Sequence, residues 1–196
     1  MKKIITICAI IALAGIFTTK AMALNIAEGA SVDLHGTFFT GGWGGSTVVG
    51  AETIVDGVFL PEGTQWDQGA VWWDANPYPV HLQQYITIDL GGLFHIDSFV
   101  LQADNNDRYL ISYLNDSTLE WVYIGDVAGW GMMTRPELFL PATVTTSALM
   151  IQGVDGDGYY SVSEIQAFGR PVPEPATLIL LGTGLAGLAA VGRRKK

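Results

Sequence analysis

Between its two apolar ends this chain alternates. Ile86, Ile88 and Leu90 are interleaved with Thr87, Asp89 and Gly91. Phe99, Leu101 and Ala103 flank Val100 and Gln102, and Tyr109, Ile111 and Tyr113 flank Leu110 and Ser112. Val162, Glu164, Gln166 and Phe168 alternate with Ser163, Ile165 and Ala167. Successive side chains of a strand point to opposite faces, so a period of two marks strands with one buried face. The runs are bounded by Gly, Asn and Asp, which start turns. Asn115-Asp116-Ser117-Thr118 reads as the turn before a strand carrying Trp121 to Ile124. Asp155-Gly156-Asp157-Gly158 resembles a calcium loop in composition, but it lacks the later Glu and the flanking helices, so it reads as the turn between the last two strands. No run of helical period and no fixed repeat interrupts this pattern. The expectation is an all-β chain with a single domain over residues 24–169, a β-sandwich or jelly roll.

Both ends read as targeting segments. Residues 1–23 form a signal peptide: Lys2 and Lys3, an apolar stretch from Ile4 to Phe17, then Ala21-Met22-Ala23 before a signal-peptidase cut. Cys8, the only cysteine, falls inside it, so the exported part has no disulfide. At the other end, residues 170–177 are a linker holding Pro173-Glu174-Pro175, and residues 178–196 an apolar helix ending in Arg193-Arg194-Lys195-Lys196. The prolines allow a helix to start only after them. From Ala176 to Gly192 it would be about 25 Å long, slightly short of a hydrocarbon core of roughly 30 Å, with the cations at the headgroups. This order resembles the PEP-CTERM sorting signal of Gram-negative bacteria. The resemblance implies an exosortase as partner, membrane anchoring through the helix before processing, and release to the cell surface or extracellular matrix. An ordinary tail anchor explains the apolar run and the basic end but not Pro173-Glu174-Pro175.

Charge narrows the partners. Up to Arg170 the exported part carries eighteen carboxylates against Arg108, Arg135 and Arg170, a net charge near −15. Such a field repels nucleic acid and anionic lipid, and suits a neutral ligand or a cation. Catalysis finds little support. His35, His81 and His95 have no metal-ligand spacing, Gly-x-Ser-x-Gly is absent, and the exported part has no thiol. Carboxylates are abundant enough for a glycosidase pair, yet abundance is not a site.

Two loops are the candidate ligand sites. Trp43 stands within Gly41-Gly42-Trp43-Gly44-Gly45, where it can stack on a sugar ring or fold back onto the core. Asp104, Asn105, Asp107 and Arg108 join two strands and can hydrogen-bond sugar hydroxyls, with Tyr109 as a stacking ring. The alternative is a polar turn with a weak pair between Arg108 and Asp107 or Asp104. Trp72 and Trp73 are adjacent, so one is expected in the core and the other outside.

A second resemblance covers residues 48–169. Val55-Asp56-Gly57, then Thr64-Gln65-Trp66, Ile86 to Gly91, Tyr113 to Trp121, and Ser163 to Gly169 follow one another as in the discoidin, or coagulation factor 5/8 type C, domain. That implies a galactose-binding-like jelly roll used mostly for carbohydrate or lipid-headgroup binding, here an extracellular polysaccharide. It also implies a calcium ion at Asp56, Thr64 and Glu164. Eight residues separate Asp56 from Thr64, longer than usual, and the cysteines paired in many members are missing. The expected function is non-catalytic carbohydrate binding, set against a polysaccharide hydrolase and a ligand-free matrix protein.

Overall fold

The computed structural model describes residues 24–74, 84–125 and 132–172, together with Thr183. The expected signal peptide, His81, Pro173-Glu174-Pro175 and, Thr183 apart, the sorting helix lie outside the described residues. No described helix is long and apolar enough to cross a membrane.

Among the described residues nine strands run in the order β1 (Leu24–Asn25), β2 (Ser31–His35), β3 (Val71–Asp74), β4 (Tyr85–Ala103), β5 (Arg108–Asn115), β6 (Glu120–Gly125), β7 (Met133–Thr134), β8 (Leu138–Asp155) and β9 (Tyr159–Pro171). A short 3-10 turn, Ala51–Val55, precedes β3. Every ladder between these strands is antiparallel.

Two long strands make the sandwich. The β4–β8 ladder breaks between Asp89 and Phe94 and again between Ile96 and Ser98. Breaks of this kind bend a strand and sharpen its twist. Gly91, at φ 73°, takes the corner, and the Asp89 carboxylate accepts its N–H at 2.8 Å. Each long strand therefore serves two layers. The first layer runs β2, the start of β4, the end of β8, β5 and β6. In the second, the rest of β4 lies between the start of β8 and β9, and β1 and β3 add to the far side of β9. The inward rows meet in one buried cluster. Ile86, Ile88, Ile111 and Ile151 come from the first layer, and Ile96, Leu101, Ile165 and Ala167 from the second. Burying such a side chain is worth about 1.5–3 kcal/mol.

The alternation read from the sequence holds along β4 and β5 but not along β9. There Gln102 faces Glu164 while Ala103 faces Val162, so Ser163 is skipped. Val162 and Ile165 consequently both reach the core. Trp72 and Trp73 also depart from expectation, since both are buried. Trp73 enters the core. Trp72 points the other way and is roofed by the chain between β2 and β3. It packs edge-on against Phe39 at 5.7 Å and Trp66 at 5.4 Å, and its N–H donates to the Thr47 carbonyl at 3.3 Å.

Candidate functional site

At the end of the sandwich where β9 begins, three connections converge on a cleft of about 200 Å³. Trp43 comes from the chain between β2 and β3, as do Thr64 and Trp66. Asp104, Asn105 and Asn106 come from the loop between β4 and β5. Asp157 and Tyr159 belong to the turn into β9.

Each loop is pinned. Trp43 is 63% exposed, yet its backbone is fixed by the buried Asp67. One Asp67 carboxylate oxygen accepts the Trp43 N–H at 2.8 Å and the Ser46 hydroxyl at 2.7 Å. The Asn106 amide donates to Asp157 at 2.8 Å, and the Asp157 N–H donates to Asp107 at 3.0 Å. Gly156, at φ 120°, lies so close to the Asp107 carboxylate that a side chain there would collide with it. Arg135 braces the loop from beneath, where its guanidinium donates to the Ala103 carbonyl at 3.2 Å and to the Asp104 carbonyl.

Asn105 is the unusual member. Its backbone N–H donates to the Asp104 carboxylate at 2.8 Å, but its side-chain oxygen and nitrogen are both buried without a protein partner. Buried polar atoms are ordinarily paired, so an amide left open against a cleft is set up to bond whatever enters. The carboxylates around it are perturbed. Burial raises the Asp104 carboxyl to about 6, with the Asp157 charge adding. Burial raises Asp107 to about 8, with the charges of Asp157 and Asp104 adding.

Of the loop residues expected to meet a ligand, only Asp104 and Asn105 line the cleft with Trp43. Tyr109 does not offer a stacking face. It is completely buried, its hydroxyl accepts the Ser161 N–H at 2.9 Å, and it packs edge-on against Tyr160. The alternation that puts Ile111 inside puts Tyr109 inside too. Asp107 is buried beneath the turn, and Arg108 pairs across the ladder with Asp155 at 3.1 Å rather than with Asp107 or Asp104. Sequence reading missed Trp66, Asp157 and Tyr159 as members of the site. Tyr159 carried a signal, because it adjoins a turn between strands and such turns gather at a sandwich end.

The expected calcium ligands divide. The Asp56 carboxylate accepts the Val58 N–H at 2.8 Å, which closes the turn through Gly57 at φ 80°. Glu164, on β9, is completely buried and both its carboxylate oxygens lack a hydrogen-bond partner. Burial raises its carboxyl to about 8, and the charges of Asp56 and Glu28 push the same way. Thr64 instead donates to the Pro61 carbonyl of its own turn at 2.6 Å and lines the cleft. Among the described residues no three His, Cys, Asp or Glu side chains gather closely enough to hold a metal. Any ion beside Asp56 and Glu164 therefore needs carbonyl or hydroxyl oxygens as further ligands, which calcium accepts. A buried carboxylate repelled by Asp56 and Glu28, and eased only in part by the Gln166 side chain and the Gly57 N–H, fits such an ion.

Comparison with known proteins agrees with both ends of this description. Residues 171–195 match the PEP-CTERM protein-sorting motif, which indicates an exported protein sorted to the cell envelope or surface. No curated protein matches the sequence. The lectin domain of lectinolysin complexed with Lewis B antigen aligns with a TM-score of 0.53 at 16% identity, covering 78% of this chain and 100% of that one. A Streptococcus pneumoniae fucose binding module aligns with a TM-score of 0.51 at 14% identity, covering 74% and 95%. SpGH29 aligns with a TM-score of 0.50 at 15% identity, covering 76% of this chain but only 28% of that much longer one. The likeness shows a shared fold, the antiparallel β-sandwich of that lectin domain and fucose binding module.

Proposed function

We propose that this chain is an exported, non-catalytic protein that holds extracellular polysaccharide through the end cleft. One observation carries the reading: Asn105, whose buried side-chain amide has no protein partner, lines the same cleft as the exposed Trp43. A sugar ring offers an apolar C–H face to an aromatic ring, and hydroxyls to an amide that both donates and accepts. The structural neighbours named as a lectin domain and a fucose binding module support a sugar as ligand. The net charge near −15 up to Arg170 favours a neutral glycan over one rich in uronates. Signal peptidase and an exosortase process the two ends, and the protein reaches the surface or matrix of a Gram-negative cell. Calcium has a structural role, held by Asp56, Glu164, carbonyl oxygens of the intervening loop and, if that loop closes, Thr64. It neutralises carboxylates that otherwise repel one another.

Titration calorimetry with neutral oligosaccharides tests the reading. One site of this kind has an expected dissociation constant of ~0.1–1 mM, or roughly 4–5.5 kcal/mol. Trp43→Ala and Asn105→Ala should each weaken it with little change in melting temperature. Wild-type binding in both variants would remove the cleft from consideration. A hydrolase has one observation in its favour, because Asp104 and Asp157 line the same cleft. Against it, the two Asp157 oxygens already accept from Tyr159 N–H and Asn106, at 2.9 and 2.8 Å. Release of reducing ends from a bound polysaccharide would establish hydrolysis.

A further inference from the structure

A second cleft, of about 380 Å³, lies on the outer face of the first layer and shares no lining residue with the end cleft. It follows from the alternation. Ile86 and Ile88 face the core, so Tyr85, Thr87 and Asp89 must face out. Their neighbours across the ladder are His35, Asp33 and Ala148. The His35 ring lies flat on Tyr85, with centroids 4.3 Å apart, and its Nε2 is 2.9 Å from the Thr87 hydroxyl. At the other margin Trp121, on β6, is 38% exposed. From β2 to β6 there are four steps between strands, or roughly 19 Å at about 4.8 Å each. Aromatic rings thus stand at both margins of a polar floor, on regular strands that hold them in place.

We infer that this outer face is a second glycan site, which takes an extended, non-anionic polysaccharide segment laid across the strands. The inference rests on reading the chain as a polysaccharide binder but uses none of the end-cleft residues. Three features select this occupant. The lining includes the carboxylates of Asp33 and Asp89 and no Lys or Arg, so uronate, sulfate and phosphate polymers are repelled. Aromatic rings flank the polar groups on both sides, which suits the C–H faces and the hydroxyls of a sugar chain laid between them. The backbone of β4 and β8 is paired on both sides here, so an incoming peptide finds no main-chain partners, whereas a glycan needs only side chains. With a site at one end and another on a face, a single copy can engage two chains and bridge them. Two weak sites then give retention beyond either alone.

Affinity electrophoresis of the full chain tests this, using gels that contain a neutral β-glucan, a galactan or alginate. Wild type should be retarded by a neutral polymer and not by alginate. Trp121→Ala should lower that retardation about tenfold while leaving the oligosaccharide response of the end cleft unchanged. His35→Ala, on the opposite margin, should do the same and serves if Trp121→Ala does not fold. Precipitation of the neutral polymer by wild type should disappear in either variant. If folded Trp121→Ala and His35→Ala migrate as wild type while Trp43→Ala is released, the second site is refuted and the end-cleft reading stands. If the first two are released and Trp43→Ala is not, the outer face is the site and the end-cleft reading fails. Retardation by alginate equal to that by neutral polymer would overturn the ligand class, and no retardation of wild type by any neutral polymer would overturn both readings.

Discussion

Asp67→Ala tests whether the end cleft depends on a tryptophan held in advance. Asp67 is buried and does not itself line the cleft. Its carboxylate accepts from Trp43 N–H at 2.8 Å, Ser46 hydroxyl at 2.7 Å and Gln68 amide at 3.2 Å. Bonds to an ionised acceptor contribute about 1.5–3 kcal/mol each. The Trp43 and Ser46 donors lie in an exposed loop and can turn to water when the carboxylate is removed, so the net loss for the set is about that of a single such bond, ~2 kcal/mol. The Thr47 N–H to Asp67 carbonyl bond, 2.9 Å, is main chain and survives. The loop around Trp43 therefore loses about 2 kcal/mol of ordering, and apparent sugar affinity falls with the fraction of loops still in place, up to roughly 30-fold. Burial pushes the Asp67 carboxyl up, yet the donors of Ser46, Trp43 and Gln68 outweigh it and hold the group below its ordinary value. Its contribution is therefore full above about pH 4 and is lost as pH falls through the lowered value. Hydrogen exchange at the Trp43 amide reads the ordering directly, and calorimetry reads the affinity. If exchange at Trp43 and binding in Asp67→Ala both equal wild type, the tryptophan is not positioned by Asp67 and the argument is wrong.

Other outcomes are equally definite. Tyr109→Phe leaves the buried Ser161 N–H without its acceptor at a cost of about 1–3 kcal/mol, so the melting temperature should fall by several degrees; an unchanged melt contradicts the bond. Asp107 is raised to about 8, so the folded state keeps a proton that the unfolded state has lost above about pH 4, and stability falls as pH rises through that interval. Asp107→Asn should remove this loss and melt higher than wild type at pH 9, and a lower melt there would mean the carboxylate is stabilised instead. Chelation should lower the melting temperature of the wild type but not of Glu164→Gln, and equal responses would take calcium away from Glu164.

How much could be read beforehand depended on how local the cause was. Ile86 and Ile88 declare a strand face by themselves, and Asn115 to Thr118 declare a turn, closed by the Thr118 N–H to Asn115 carbonyl bond at 3.1 Å. The skip at Ser163 is set by pairing with Gln102, sixty-one residues away, whose side chain also holds the Ser163 hydroxyl at 2.7 Å. No local pattern announces that. That neither Trp72 nor Trp73 is left outside is not legible locally, because the cover over Trp72 comes from Phe39, Thr47 and Trp66, which only tertiary folding brings over it. Within the candidate site, polarity picked out the loop but not its aim. Asp107 and Arg108 are as polar as Asn105, yet one is tied beneath the turn to Asp157 and the other across the ladder to Asp155.

The direction of β9 decides how the protein presents itself. Tyr159 opens that strand and lines the cleft, while Pro171 closes it and begins the sorting motif. Thirteen residues of strand span roughly 40 Å at about 3.3 Å each. The cleft and the start of the sorting motif therefore lie at opposite ends of one strand. On the function proposed above, a copy tethered through that motif would present the cleft at the end away from its tether.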